Sequence, residues 1–512
     1  MTLSRLLEHW RLTENPFRGE EARHDSVFAR IGTGTDGPKT HAAFHSDFEK
    51  VLGDLDHPAA SIVFGEKGSG KTAMRLQIED RIARHNVAAP GRRIVLVPYD
   101  DLNGILERFH RRMGGKTPLE SFQKFRPADH LDALLGIVVP WLVDAVIDRA
   151  PGGPTGIDPG SEPRKRARQL DDAGKRDLLL LQAVYDRPED ADVRTGRLRR
   201  ILRLPLPMRE RLWVTLAWIG WAPAAALAAW VYLWRPAGVI DPLWQWVVLA
   251  AAGLWLVILA KRFAWDRLGA RRTALRLRRQ VRVGSRADAS YARSLRQIDD
   301  GQVAQLPTTE TDEPRYAMLA RLRRSLAHFG CAGMIVVMDR VDEPTLVSGD
   351  PERMRAIVWP LLNNKLLQQE GLGLKLLLPM ELRHSLFKES SAFFQEARLD
   401  KQSLIERLSW TGATLFDLCD ARVRACVADG APPIGIMDLF AEDVTARDLV
   451  DALEQMHQPR DALKFVYSCL SEHCANVTEE QNQWRVTKAV LDAVRKQQAE
   501  RVQQLYRGIR PG

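Results

Sequence analysis

The chain has 512 residues, room for two to four domain-sized units of ~100–200 residues each, and its charged and hydrophobic fractions of 27% and 45% are those of a globular protein. Five cysteines (331, 419, 426, 469 and 474) have no C-x-x-C spacing, which argues against a structural disulfide and for a reducing compartment. The net charge of +9 is not spread over the chain: seven arginines and one acid lie between Arg194 and Arg211, nine Lys/Arg and one acid between Lys261 and Arg282, and the remainder is net −5, a balance that argues against nucleic acid as partner.

Residues 1–58 form a lead-in. It begins without the apolar run of a signal peptide, with Glu8 already in the first ten residues. A helix is expected over Phe44 to Leu55, just ahead of the first strand. Ala59 to Phe64 is a short apolar run that reads as a buried parallel strand. Gly65-Glu66-Lys67-Gly68-Ser69-Gly70-Lys71-Thr72 follows, with the full G-x-x-x-x-G-K-[ST] pattern of a phosphate-binding loop. Glycines let the backbone turn and aim N–H groups at phosphate oxygens. Lys71 has the reach for β- and γ-phosphates, and the Thr72 hydroxyl can bind Mg²⁺. Ala73 to Asn86 reads as a helix, so phosphate would meet a helix N-terminus. ATP and Mg²⁺ are the expected ligands.

Arg93 to Pro98 reads as a second strand, Leu102 to Met113 as a helix, and His130 to Ile147 as a core helix with Leu131, Leu134, Leu135, Val138 and Leu142 at helical spacing. These complete a first core part over 59–150. Residues 151–193 read as a linker, because Pro151 to Pro163 holds eight Pro or Gly in thirteen residues.

Residues 194–282 are expected to form a basic-flanked transmembrane hairpin. Leu212 to Trp234 is 23 residues without a charge and Leu243 to Ala260 is 18; as a helix the first spans roughly 34 Å, against a bilayer core of about 30 Å. Trp213, Trp234, Trp244 and Trp246 sit where an aromatic belt would lie. The eight-residue connection Arg235 to Pro242 has no net charge. The arginine-rich flanks therefore place both termini in the cytoplasm of a multi-pass protein of the inner membrane. A basic helix over Arg267 to Arg282 would follow.

The second core part covers 283–400. Arg315 to Phe329 reads as a helix and Cys331 to Met338 as a buried strand. It ends in Asp339-Arg340-Val341-Asp342-Glu343, where an acid at the C-terminal end of a strand faces phosphate and Mg²⁺. Asp339 is the expected Mg²⁺ ligand with Thr72, and Glu343 or Asp342 the acid that polarises the attacking water. Gly373 to Leu378 is a further strand leading to Glu381, a candidate polar sensor. Residues 401–512 read as a helical lid and C-terminal helices. Within it Gln458-Pro459-Arg460-Asp461 opens a helix that reaches about Cys474, and Thr487 to Tyr506 forms the last one.

Lys71 and Asp339 are 268 positions apart with the apolar hairpin between them. That order resembles the KAP family of P-loop NTPases, in which transmembrane helices interrupt the domain between the Walker A and Walker B motifs. Three shorter matches point to related ATPases. Leu12 to Phe17 resembles the N-terminal signature of general-secretion-type AAA ATPases. The Pro459-Arg460 opening resembles a sensor-2 motif, whose arginine contacts the γ-phosphate. D-x-x-D-E at 339–343 is similar to the Walker B of NACHT-type ATPases, which prefer a small residue where this chain has Arg340. The resemblance implies an α/β P-loop fold with a parallel sheet, interrupted by a two-helix transmembrane hairpin and followed by a helical lid. It also implies a membrane-held cytoplasmic ATPase, acting as a nucleotide-dependent switch or assembly factor in defence or membrane-complex organisation. Expected partners are the bilayer, a further copy of the chain through nucleotide-dependent contacts, and a protein partner. The competing expectation is a scaffold that binds nucleotide without hydrolysing it.

Overall fold

A computed structural model describes residues 1–18, 21–33, 45–148, 157–158, 160, 162–205, 208–233, 242–261 and 265–506. Phe44, Trp234, the 235–241 connection and most of the Pro/Gly run lie outside them. The chain divides into two compact units. One is built from Met1–Leu102 together with Gly333–Gly512, the other from Asn103–Ala332.

The first unit is α/β, around a five-stranded parallel sheet. Its strands are β1 (Ser61–Gly65), β2 (Arg93–Pro98), β3 (Cys331–Met338), β4 (Leu372–Pro379) and β5 (Ser403–Ile405), in the order β2-β3-β4-β1-β5. β1 lies parallel to β4, with Gly65 opposite Pro379, and parallel to β5. β3 lies parallel to β4, with Met338 opposite Leu376. The central strands are buried on both faces, which is why they read as unbroken apolar runs rather than alternating ones. Val63, Ile94, Ile335 and Leu377 pack with Met74, Ile78 and Ile82 of the helix Lys71–Ala88, and each such aliphatic side chain contributes roughly 1.5–3 kcal/mol when fully buried. β5 corrects the expectation that residues 401–512 are all helical. Three residues are too short to register as a pattern, and pairing with β1 supplies the order that propensity does not.

The C-terminal helices, among them Gly412–Ala425, Ala446–Glu454, Pro459–Asn476 and Lys488–Tyr506, form a second core in this unit. Leu6, Leu12, Phe17, Val27 and Ile31 belong to that core, so the N-terminal residues are part of it and not a free lead-in. Thr13 is tied there by its backbone N–H, which donates to the Cys426 carbonyl at 2.8 Å. All five cysteines are buried thiols without disulfides.

The second unit is helical among its described residues, apart from the first two residues of β3. Its boundaries correct the expected domain limits: the sheet-bearing unit ends at Leu102 and resumes at Gly333, so 103–150 and 283–332 belong here. The linker expected over 151–193 is also overturned for its described part. Pro163–Gln169, Asp172–Tyr185 and Ala191–Ile201 are helices, and Leu178 to Tyr185 are all buried. The helix Asp172–Tyr185 starts at Asp171, whose side chain accepts from the Gly174 N–H at 2.9 Å, a side-chain cap.

Pro127–Ile147 is the central helix of this unit. It is long and apolar enough to cross a membrane, but 78% of its apolar window is buried within the fold, as for a core helix hydrophobic all round. Its few acids are paired. Asp129 accepts from Arg282 Nε at 2.8 Å, and Asp132 accepts from the Tyr185 hydroxyl at 2.7 Å and Arg315 Nε at 3.5 Å. Burial pushes the Asp132 carboxyl up to about 7 against the pull of Arg315.

The apolar stretch Arg211–Trp230 behaves differently, with none of its apolar window buried. It is not one continuous helix as expected. Met208–Ile219 and Ala222–Leu233 are separated by a turn at Gly220-Trp221. Pro223 has no N–H to give and its ring opposes the carbonyl four residues back, so the ladder breaks there. Pro242–Ala260 is the next helix, and its Trp255 indole donates to the Ala217 carbonyl at 3.1 Å. Trp218, Ile219, Leu233, Trp246, Leu249, Leu254, Leu256 and Val257 are exposed along these helices. Asp266–Gln280 follows as the expected basic helix.

Candidate functional site

β1 delivers the chain into the loop Gly65–Thr72 at the C-terminal edge of the sheet. Gly68 and Gly70 both have left-handed backbones, at φ +92° and +94°, a conformation that L side chains adopt at a cost. At Gly68 a side chain is excluded twice, because an added Cβ would lie 2.9 Å from Arg460 Cβ. Gly70 is the N-cap of the helix Lys71–Ala88, and the Met74 N–H donates to its carbonyl at 2.8 Å. The free N–H groups of that first turn and the helix dipole favour an anion at this point.

Lys71 is partly buried and folds back over the loop. Its ammonium donates to the Gly65 and Glu66 carbonyls at 2.7 and 2.9 Å. Burial pulls its pKa below the ordinary lysine value, while Asp339, Asp342, Glu381 and Glu66 act against that pull. The Thr72 hydroxyl donates to Asp339 Oδ2 at 3.0 Å. Asp339, at the end of β3, is only 1% exposed. Burial raises its pKa, opposed by the Thr72 hydrogen bond and by Lys71 and Arg75. The Ser69 hydroxyl is buried and has no hydrogen-bond partner among the described residues.

The sequence-marked acids separate here. Asp342 and Glu381 are among the acids whose charge Lys71 feels. The Glu343 side chain is 57% exposed and accepts from Arg340 Nη1 at 3.3 Å, and Arg340 also pairs with Glu21. Arg340 itself takes a positive φ of 60°, which turns the chain immediately after Asp339.

Gln458, Pro459 and Arg460, at the opening of the helix Pro459–Asn476, lie against the loop. The Arg460 N–H points at the Gly68 carbonyl at 3.5 Å, Pro459 lies 3.8 Å from a Cβ added at Gly70, and Gln458 donates to Glu66. Three contributors were not legible in the sequence. The Trp410 indole donates to the Ser69 carbonyl at 2.8 Å, Arg407 pairs with Glu66 at 2.9 Å, and the ring of His45 meets Trp410 edge-on. A tryptophan and an arginine just past a strand carry no motif, and only the tertiary fold brings them to the loop. A cleft of 440 Å³ opens beside it, lined by Glu66, Leu408, Trp410, Thr411, Glu454 and Gln458. Lys67 stays exposed at the outer rim of the loop.

Among the described residues, no group of three or more His, Cys, Asp or Glu could hold a metal ion. The pair Thr72–Asp339 suits Mg²⁺, which keeps several waters and takes one or two protein ligands with the rest from phosphate oxygens. No family model, curated protein or solved structure matches this chain.

Proposed function

We propose that the chain is a membrane-anchored P-loop ATPase whose nucleotide state switches a helical lid. The observation that carries it is the Gly65–Thr72 loop at a helix N-terminus, with Thr72 3.0 Å from the buried Asp339 at the end of a second strand. In this reading ATP phosphates take the loop N–H groups, and Lys71 exchanges its two carbonyl contacts for phosphate oxygens. Mg²⁺ supplies charge neutralisation on those oxygens; Thr72 and Asp339 are the residues that would hold it. Asp342 accepts the proton of the attacking water, and Arg460 reaches from the lid toward the terminal phosphate. Glu66 is the loop's tie to the lid through Gln458 and Arg407, so a change in the loop is felt by the C-terminal helices.

The anchor rests on the exposed apolar helices between Met208 and Ala260, since a bilayer core needs about 20 apolar residues per crossing. Lys261 lies 3.3 Å from the centre of the Trp213 ring, so the two ends of this segment meet, as they do in a hairpin. Sixteen Lys/Arg flank it in sequence, which puts both termini in the cytoplasm by the positive-inside rule. Nucleotide-dependent contact with a second copy fits a switch of this kind.

One observation favours the second reading, a nucleotide-binding scaffold without turnover: Glu343 is held by Arg340 and its side chain is mostly exposed. The deciding experiment is equilibrium ATP binding by the purified full chain and by Lys71→Ala, with circular dichroism to show that both are folded. Binding by wild type and its loss in the folded variant is expected; equal binding by both removes the assignment of the loop. Reporter fusions to each terminus and to the 235–241 connection test the anchor, and an exported terminus rejects the hairpin.

A further inference from the structure

The helical unit of residues 103–332 contains a cavity of 160 Å³ between the helices Asn103–Met113, Pro127–Ile147 and Asp172–Tyr185 and the segment 281–291. Ile105, Ile137, Val184 and Val283 give it apolar walls. Two polar side chains on its lining have unfilled hydrogen-bonding capacity. Arg286 is 3% exposed, and it donates only to neutral acceptors: the Ala183 carbonyl, the Ser290 carbonyl and hydroxyl, and the Ser294 hydroxyl. Its Nε has no partner and no carboxylate lies within ion-pair distance among the described residues. Tyr291 is 2% exposed, lies under the Arg286 guanidinium at 4.6 Å, and has no hydrogen-bond partner for its hydroxyl among the described residues. Burial pushes its phenol up to about 12, so it remains a donor at neutral pH. Arg108, whose Nε donates to the Val283 carbonyl at 2.8 Å, is a second cation on the lining.

The acids on the same lining are already neutralised. Asp186 is paired with Arg194 at 2.8 Å, and Asp132 is taken by Tyr185 and Arg315. Arg187 is paired with Asp144. The through-space acid Asp192 is held by Arg293 at 2.7 Å. What remains unmatched is positive charge and a phenol donor beside an apolar space. A buried cation is normally paired, and a small concave apolar site with a few convergent polar groups is the usual form of a ligand pocket.

We propose that this cavity binds a small carboxylate with an apolar body, its anionic end taken by Arg286, Tyr291 and Arg108. The site is independent of the nucleotide loop and lies wholly within the helical unit. Benzoate and hexanoate are the probes, with benzamide and hexanamide as uncharged controls, titrated by calorimetry and by thermal melting into the purified full chain in detergent. At least one carboxylate is expected to bind at one site per chain and raise the melting temperature, and the matching amide is not. Arg286→Met should weaken that binding on the order of tenfold or more, and Tyr291→Phe, which removes a single oxygen from a side chain that keeps its packing, several-fold. The Phe variant keeps the test decisive if the Met variant does not fold. Failure of both carboxylates to bind, equal binding of acid and amide, or undiminished binding by Tyr291→Phe would each overturn the proposal.

Discussion

The Thr72 hydroxyl donates to the Asp339 carboxylate at 3.0 Å across 267 positions of sequence. β1 and β3 are not neighbours in the sheet; β4 runs between them. Two residues that bracket the whole helical unit in sequence are therefore brought together at one edge by strand order, the pair to which the proposed function assigns Mg²⁺.

Asp339→Asn should keep the fold and lose most Mg²⁺-dependent ATP affinity, on the order of 10- to 100-fold, because an amide keeps the shape but not the charge. ATP binding measured across a Mg²⁺ titration checks this. A variant with the wild-type Mg²⁺ dependence would remove Asp339 from the ligand pair.

Asp342→Asn should slow ATP turnover roughly 100-fold or more, the range for loss of a general base, with nucleotide affinity retained. Glu343→Gln should do less, because Glu343 is turned to Arg340. Single-turnover rates of both variants decide the matter, and the reverse ranking would assign the acid to Glu343.

Lys375 sits in β4 at 1% exposure and donates to the Ala59 carbonyl at 2.9 Å. Burial pulls its ammonium down from 10.5 to about 8. The folded pKa lies below the unfolded one, so the unfolded chain holds more protons between them and stability rises with pH through that window. From about pH 8 toward 10.5 the wild type should gain up to about 3 kcal/mol relative to Lys375→Met. Melting curves of both proteins at several pH values test it, and parallel pH profiles would show that Lys375 does not titrate this way.

Replacing residues 209–262 with a Gly/Ser linker should give a protein that stays in solution without detergent and still binds ATP. Lys261 and Trp213 place the two ends of the excised segment together, and loop-closure cost grows slowly with linker length. Fluorescent-nucleotide binding by the linker variant is the readout. A variant that is folded but binds no nucleotide would make these helices part of the nucleotide unit.

The strands were legible where burial on both faces leaves an unbroken apolar run. Arg93–Pro98 and Cys331–Met338 have the bounds that the sequence predicts. β5 was not legible, because three residues, Ser403–Ile405, become a strand only by pairing with β1. The helices between Pro163 and Ile201 were hidden by composition: the Pro/Gly run just before them suggests a linker, and their exposed faces carry many charges. Leu178 to Leu181, four leucines in a row, was the available signal. The break at Gly220-Trp221 was signalled by Pro223 but masked by the uniform apolarity around it. In the site, Gly65–Thr72 and Asp339 stand out because a phosphate-binding pattern fixes residue types at fixed spacing and an acid closes a buried apolar strand. Trp410 and Arg407 do not. Each reaches the loop from 341 positions away, and nothing local distinguishes them from ordinary surface residues.

The most direct measurement is phosphate release from ATP by the purified full chain in nanodiscs, with Mg²⁺ or with EDTA, for wild type and for folded Lys71→Ala. Turnover that requires both Mg²⁺ and Lys71 is the expected result. ATP that neither binds nor turns over on folded wild type, or turnover unchanged by EDTA and by Lys71→Ala, would contradict a Mg²⁺–nucleotide site at Gly65–Thr72 and Asp339.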